Sequence, residues 1–151
     1  MARPLSTGCG ALAMTSTLVD TNVLVDVFGT GSEEQIWSSN ALRRLSETTG
    51  FVLSPVVWAE LSFATSRSAE LADLVDWLKP RREVFDFAMA KRAGIAHAHY
   101  RRAGGSRERT LPDFMIGAHA EVAGHRLLTR DPARYRAYFP TVDIIAPDTH
   151  P

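Results

Sequence analysis

From residue 17 onward, short apolar runs alternate with longer helical stretches, and that alternation constrains the fold more than any other feature of the chain. Residues 17–20, 51–53, 126–129 and 142–146 read as buried strands, and 84–86 as a further short one. Helical stretches fill the gaps between them. Strands that alternate with helices imply a mostly parallel sheet of four to five strands, flanked by helices on both faces. The expectation is a single α/β domain.

Local signals punctuate this pattern. Ser32 caps a helix over 33–47, in which Trp37, Ala41 and Leu45 fall four apart. Ser54-Pro55 gives a cap followed by proline at the first helical position, opening a helix to about residue 66. Leu71, Leu74, Val75 and Leu78 form an i, i+3, i+4, i+7 stripe that ends at Pro80. Met89, Ala93, Ala96 and Tyr100 mark a helix stopped at Gly104-Gly105, and Thr110 opens another that runs to Gly124. Residues 1–16 show no usable periodicity and read as a flexible N-terminal extension, with Met14 an alternative start. The domain is expected over 17–147, with a short tail at 148–151.

Composition narrows the class. A length of 151 residues suits one domain. The single cysteine, Cys9, excludes a disulfide framework and a cysteine-based zinc site. No apolar run approaches the ~20 residues needed to span a bilayer, so a cytoplasmic protein without a membrane partner is expected. Formal net charge is zero, but the balance is uneven. Residues 1–78 hold four Arg against nine acids, whereas 79–136 hold thirteen Lys and Arg against six. Fifteen of the seventeen basic residues are Arg, the better fork for phosphate oxygens. The uneven half, with Arg101, Arg102, Arg107 and Arg109 at its centre, points to a phosphate-bearing partner.

In open α/β sheets, ligands sit beyond the carboxyl ends of the strands. Asp20 closes the first strand, Glu60 lies in the second turn of the helix after the second, and Asp131 follows the strand at 126–129. Asp113 is in the first turn of the helix over 111–124, which climbs ~20 Å away from that edge at 1.5 Å per residue. The next strand returns ~13 Å, so Asp113 and Asp131 can meet. Four carboxylates brought together require raised pKa values or a cation. An all-oxygen set favours Mg²⁺ or Mn²⁺ over zinc, and such an ion can activate water for attack on a phosphoryl group. Taken singly, Asp20 reads equally well as a helix cap, and Asp113 and Asp131 as acids favoured by a helix dipole. Glu60, among apolar neighbours, is harder to explain without a partner.

The strings LVDTNVL (18–24), SPVVWAEL (54–61), LPDFMIGAHA (111–120) and LLTRD (127–131) resemble, in order and spacing, the motifs of PIN domains. Within that family they look most like the VapC-type toxins of prokaryotic toxin–antitoxin pairs. The resemblance implies a three-layer fold and a metal-dependent endoribonuclease acting on structured RNA such as tRNA or rRNA. It implies that Asp20 and Asp113 hold the ion, that Asp131 and Glu60 complete the pocket, and that Asn22 and Thr129 orient acids or water. A homodimer silenced by a small antitoxin protein is the implied assembly. Gly117, where many relatives carry Ala, is expected to leave room for substrate. His119 is expected to face the core or a neighbour.

Two other readings compete. A phosphomonoesterase of the haloacid-dehalogenase type needs a second acid two residues after the first, and Asn22 stands there. A PIN-like module that only binds RNA or protein would also carry these motifs. His97 and His99 point to different sides of a helix, and Ser54 lacks a histidine partner that would make it a nucleophile.

Overall fold

The computed structural model describes residues 16–64, 68–106 and 110–151. Expectations that rest on residues 1–15, on 65–67, or on Arg107 and Arg109 lie outside the described residues. β1 (Thr17–Val19) is followed by α1 (Thr21–Asp26) and α2 (Glu33–Ser46), then β2 (Phe51–Leu53), α3 (Pro55–Ala64) and α4 (Ser68–Leu78). β3 (Arg81–Arg82), α5 (Phe87–Arg102), α6 (Leu111–Ala123), β4 (Arg126–Leu128), α7 (Ala133–Tyr138) and β5 (Ile144–Ile145) complete the order.

All five strands are parallel, in the order β3-β2-β1-β4-β5. β1 is central, with Leu18 opposite Val52 on one side and Leu127 on the other. Its residues are all buried, which is why Leu18 and Val19 are both apolar and do not alternate, and the buried Thr17 hydroxyl is bonded to that of Thr49 at 3.2 Å. Right-handed crossovers carry α1–α4 to one face on the way from β1 to β3, and α5–α7 to the other on the return. α1 packs on α2 and α3, and α5 and α7 both pack on α6. Leu18, Val23, Val57, Leu61, Phe114 and Phe139 are fully buried between these layers. Each such side chain contributes about 1.5–3 kcal/mol relative to exposure.

Strand order reverses between β1 and β4, because the chain leaves β1 toward β2 and later returns to pair on its other side. That crevice is the topological switch point of the sheet. Asp20 and Thr129 are the residues immediately beyond the two strand ends.

The fifth strand is not where the apolar pattern placed it. β3 is Arg81–Arg82, pairing with Val52 and Leu53, and both its side chains are exposed. An edge strand needs only its backbone for the ladder, so it leaves no apolar signal. Within the expected segment 84–86, Asp86 instead caps α5 by accepting the Met89 N–H at 2.9 Å. The last strand is also shorter than 142–146, only Ile144 and Ile145 being laddered to β4. The tail at 148–151 is tied down: Arg136 pairs with Asp148 at 2.6 Å and Trp37 Nε1 donates to the His150 carbonyl at 2.8 Å.

Candidate functional site

The carboxyl ends of β1 and β4 open into a cavity of about 390 Å³, and Asp20, Glu60, Asp113 and Asp131 all line it. β1 ends against the core, α3 and α6 touch, and α7 starts just after Asp131, so four separate segments aim their acids at one space. Asn22 also lines the cavity, while Thr129 lies behind it, fully buried.

Asp20 is the most constrained of the four. As N-cap of α1, its Oδ1 accepts the Thr21 N–H at 2.7 Å. Its Oδ2 accepts from Thr129 Oγ1 at 2.8 Å and from the Tyr135 hydroxyl at 3.0 Å. The cap and site readings are therefore compatible, since the cap occupies only one oxygen. Burial pushes the Asp20 carboxyl up to about 7, aided by the nearby Asp113 charge and opposed by the three hydrogen bonds. Tyr135 is raised well above its ordinary value, by burial and then by the Asp20 charge, so it stays a donor.

Thr129 links the two strand ends. Its hydroxyl donates to Asp20 and accepts from the Asp131 N–H at 3.1 Å. Asn22 Nδ2 approaches it at 3.4 Å, and Asn22 Oδ1 accepts the Arg130 N–H at 3.3 Å. Asn22, where a phosphomonoesterase needs its second acid, is thus engaged in holding the β4–α7 turn. Glu60 accepts from Thr21 Oγ1 at 2.8 Å, which gives this acid the polar partner its apolar neighbours lack.

Asp113 is paired with Arg134, whose guanidinium lies 5.3 Å from the Tyr100 ring centroid. Burial raises the Asp113 carboxyl; Arg134 opposes that, while the Glu60 and Asp131 charges add to it. The other cavity cation, Arg130, is committed elsewhere, in a two-pronged pair with Asp26 at 2.7 and 3.2 Å.

Thr21, Arg134 and Tyr135 were not foreseen. The available signal was positional: any residue in the first turn of a helix that starts beyond a strand's carboxyl end is near the site. Arg101 and Arg102 do not line the cavity. They end α5, directly after Tyr100, where cations complement the helix dipole. His97 is bonded to Thr110 at 3.1 Å and packed among Tyr100 and Phe114, a packing role as expected. Ser54 caps α3 through the Val56 N–H at 3.2 Å.

The expectation for Gly117 is corrected. A Cβ built there would lie 2.4 Å from ring carbons of Phe139, so the position is reserved for a buried aromatic ring and not for substrate. His119 is fully buried, on the core side as expected.

An all-parallel sheet with an acid-lined cavity at its switch point defines a recognisable class of α/β protein. The sequence matches the PIN domain family model over residues 17–140, and the chain belongs to that family. Solved structures share the fold. VapBC2 from Rickettsia felis, bound to a DNA fragment from its promoter, is 17% identical with a TM-score of 0.68, covering 87% of this chain and 98% of that one. DNA-bound VapBC from Salmonella typhimurium is 19% identical, TM-score 0.66, covering 88% and 98%. FitAcB from Neisseria gonorrhoeae is 20% identical, TM-score 0.64, covering 85% and 96%. No curated protein sequence matches the chain. Among the described residues, no helix is long and apolar enough to cross a membrane.

Proposed function

We propose that this PIN domain is a metal-dependent endoribonuclease and the toxin of a toxin–antitoxin pair. The observation that carries the reading is the convergence of Asp20, Glu60, Asp113 and Asp131 on one cavity, with the buried Asp20 carboxyl held at about 7. A protein has little reason to bury an acid beside three others unless a cation joins them.

The donor set is all oxygen, which suits Mg²⁺ or Mn²⁺. Asp20 and Asp113 would hold the ion, with Asp131 and Glu60 completing the site directly or through water. A bound ion supplies an activated water and neutralises charge growing on the phosphoryl group. The chain's own residues do the rest. Thr129 and Tyr135 fix Asp20 Oδ2, and Thr21 fixes Glu60. Arg134, which pairs with Asp113 and lines the cavity, would offer its guanidinium to a phosphate oxygen if an ion held Asp113 instead. Arg101, Arg102, Arg107 and Arg109 are proposed to hold the flanking RNA backbone. VapBC complexes among the structures of the same fold support an antitoxin as partner; a homodimer and a cytoplasmic setting belong to the same reading.

Expression in a bacterial host tests the toxin role. Wild type arrests growth, and Asp113→Asn at equal protein level does not. Arrest by both variants, or by neither, contradicts it.

A further inference from the structure

A second cluster of metal-binding side chains, none of them lining the acid cavity, joins the end of β3 to the end of α6. Glu83 follows β3 directly, its N–H reaching the Leu53 carbonyl at 3.3 Å. His119 lies in α6, and His125 comes just after that helix ends. Gly124, at φ 73°, reverses the chain there, and the His125 N–H bonds back to the Ala120 carbonyl at 2.9 Å. The reversal returns His125 to the neighbourhood of His119, and their ring centroids are 6.2 Å apart.

Both imidazoles point the same nitrogen at one oxygen. His119 Nε2 is 3.0 Å and His125 Nε2 2.8 Å from Glu83 Oε1. One ligand atom from each of the three residues lies within 4.8 Å of the others. The second Glu83 oxygen is held by Arg81 Nη2 at 3.1 Å, and the Phe85 ring meets His119 edge-on at 6.0 Å. His119 is fully buried and its Nδ1 has no hydrogen-bond partner among the described residues. A buried histidine that is half unsatisfied, converging with a second histidine on one carboxylate oxygen, is an uneconomical way to fill a core.

We propose that Glu83, His119 and His125 bind a divalent transition ion of the zinc class. Two imidazole nitrogens and one carboxylate oxygen are donors that zinc accepts and magnesium does not favour. With bonds of about 2.0–2.1 Å, tetrahedral ligands sit roughly 3.3 Å apart, so the two Glu83–His contacts need open by only about 0.3–0.5 Å, with the two imidazole nitrogens already within 4.8 Å of each other. Each neutral imidazole then carries its proton on Nδ1 and gives its Nε2 lone pair to the ion, so two metal bonds take the place of the Nε2 hydrogen bonds to Glu83. Arg81 orients the carboxylate from outside, and the partly exposed Glu83 side leaves a water the fourth position. The ion ties edge strand β3 to the end of α6 and the start of β4. This site is independent of the nuclease reading, since none of its three residues lines the acid cavity.

The test uses full-length protein carrying Asp113→Asn, stripped with chelator, in excess Mg²⁺. Titration with Co²⁺ is followed by its visible d–d absorption, and Zn²⁺ by the rise in Tm. One equivalent of Co²⁺ with low-symmetry bands, and a Zn²⁺-dependent Tm rise, are expected. Both signals weaken at least tenfold in affinity on adding His125→Gln or Glu83→Gln. Absence of Co²⁺ absorption, or signals unchanged in these variants, overturns the proposal and leaves a hydrogen-bonded Glu–His–His network only. Circular dichroism establishes that each variant folds; if His125→Gln does not, Glu83→Gln decides.

Discussion

Thr129 Oγ1 donates a 2.8 Å hydrogen bond to Asp20 Oδ2, joining residues 109 positions apart across the point where the strand order reverses. Both partners are buried, so the contact fixes the acid without help from solvent. Thr129→Val removes a donor from a buried carboxylate and is expected to lower stability by about 1–3 kcal/mol. Because the same hydroxyl accepts from the Asp131 N–H, cleavage should fall by roughly 10–100-fold. Urea denaturation and RNA cleavage assays measure the two losses, and Thr129→Ser should restore most of both.

Arg134 competes with any cation for Asp113. Its guanidinium is partly exposed, so screening reduces its repulsion of a nearby ion to about 1 kcal/mol. Arg134→Gln should therefore tighten Mn²⁺ binding roughly fivefold, read by calorimetry, while slowing RNA cleavage if the guanidinium also meets phosphate. Weaker Mn²⁺ binding in this variant contradicts the competition.

The raised Asp20 carboxyl carries a pH dependence. Its folded value of about 7 lies above the ordinary 3.8. Its contribution to the metal-free fold is thus fully present below pH 3.8 and is lost as pH rises through 7. An ion that needs the ionised carboxylate should bind better, and stabilise more, as pH rises. The Mg²⁺-induced increase in Tm is expected to grow between about pH 5.5 and 8, and calorimetry near pH 6 in buffers of different ionisation enthalpy should detect proton release. A Tm increase that does not change with pH argues against Asp20 as a ligand.

Gly117→Ala places a methyl group into the Phe139 ring, which is fully buried and has nowhere to go. A loss of about 1–3 kcal/mol is expected on chemical denaturation, with metal affinity of the folded protein unchanged. A stability equal to wild type would restore the reading of Gly117 as room for substrate.

These cases also mark what the sequence carried. β1, β2 and β4 were legible because strands buried on both faces are continuous apolar runs, and the acids beyond their ends followed from the topology of parallel sheets. β3 was not, because Arg81 and Arg82 pair through backbone alone on an exposed edge. Tyr135 and Arg134 were hidden for another reason: nothing local marks a tyrosine that will donate to an acid 115 positions away. Gly117 misled because Phe139, the ring it accommodates, lies one strand and one helix further along the chain.

RNA cleavage at the acid cavity is the property from which the other predictions follow. The most direct measurement incubates purified wild type and Asp113→Asn with total prokaryotic RNA, with and without Mg²⁺ or Mn²⁺, and sequences the new 5′ ends. Discrete ends that need both the ion and Asp113, with RNA binding kept in the variant, are the predicted result. No new ends from folded, antitoxin-free protein with either ion, or ends that persist in Asp113→Asn, would contradict it.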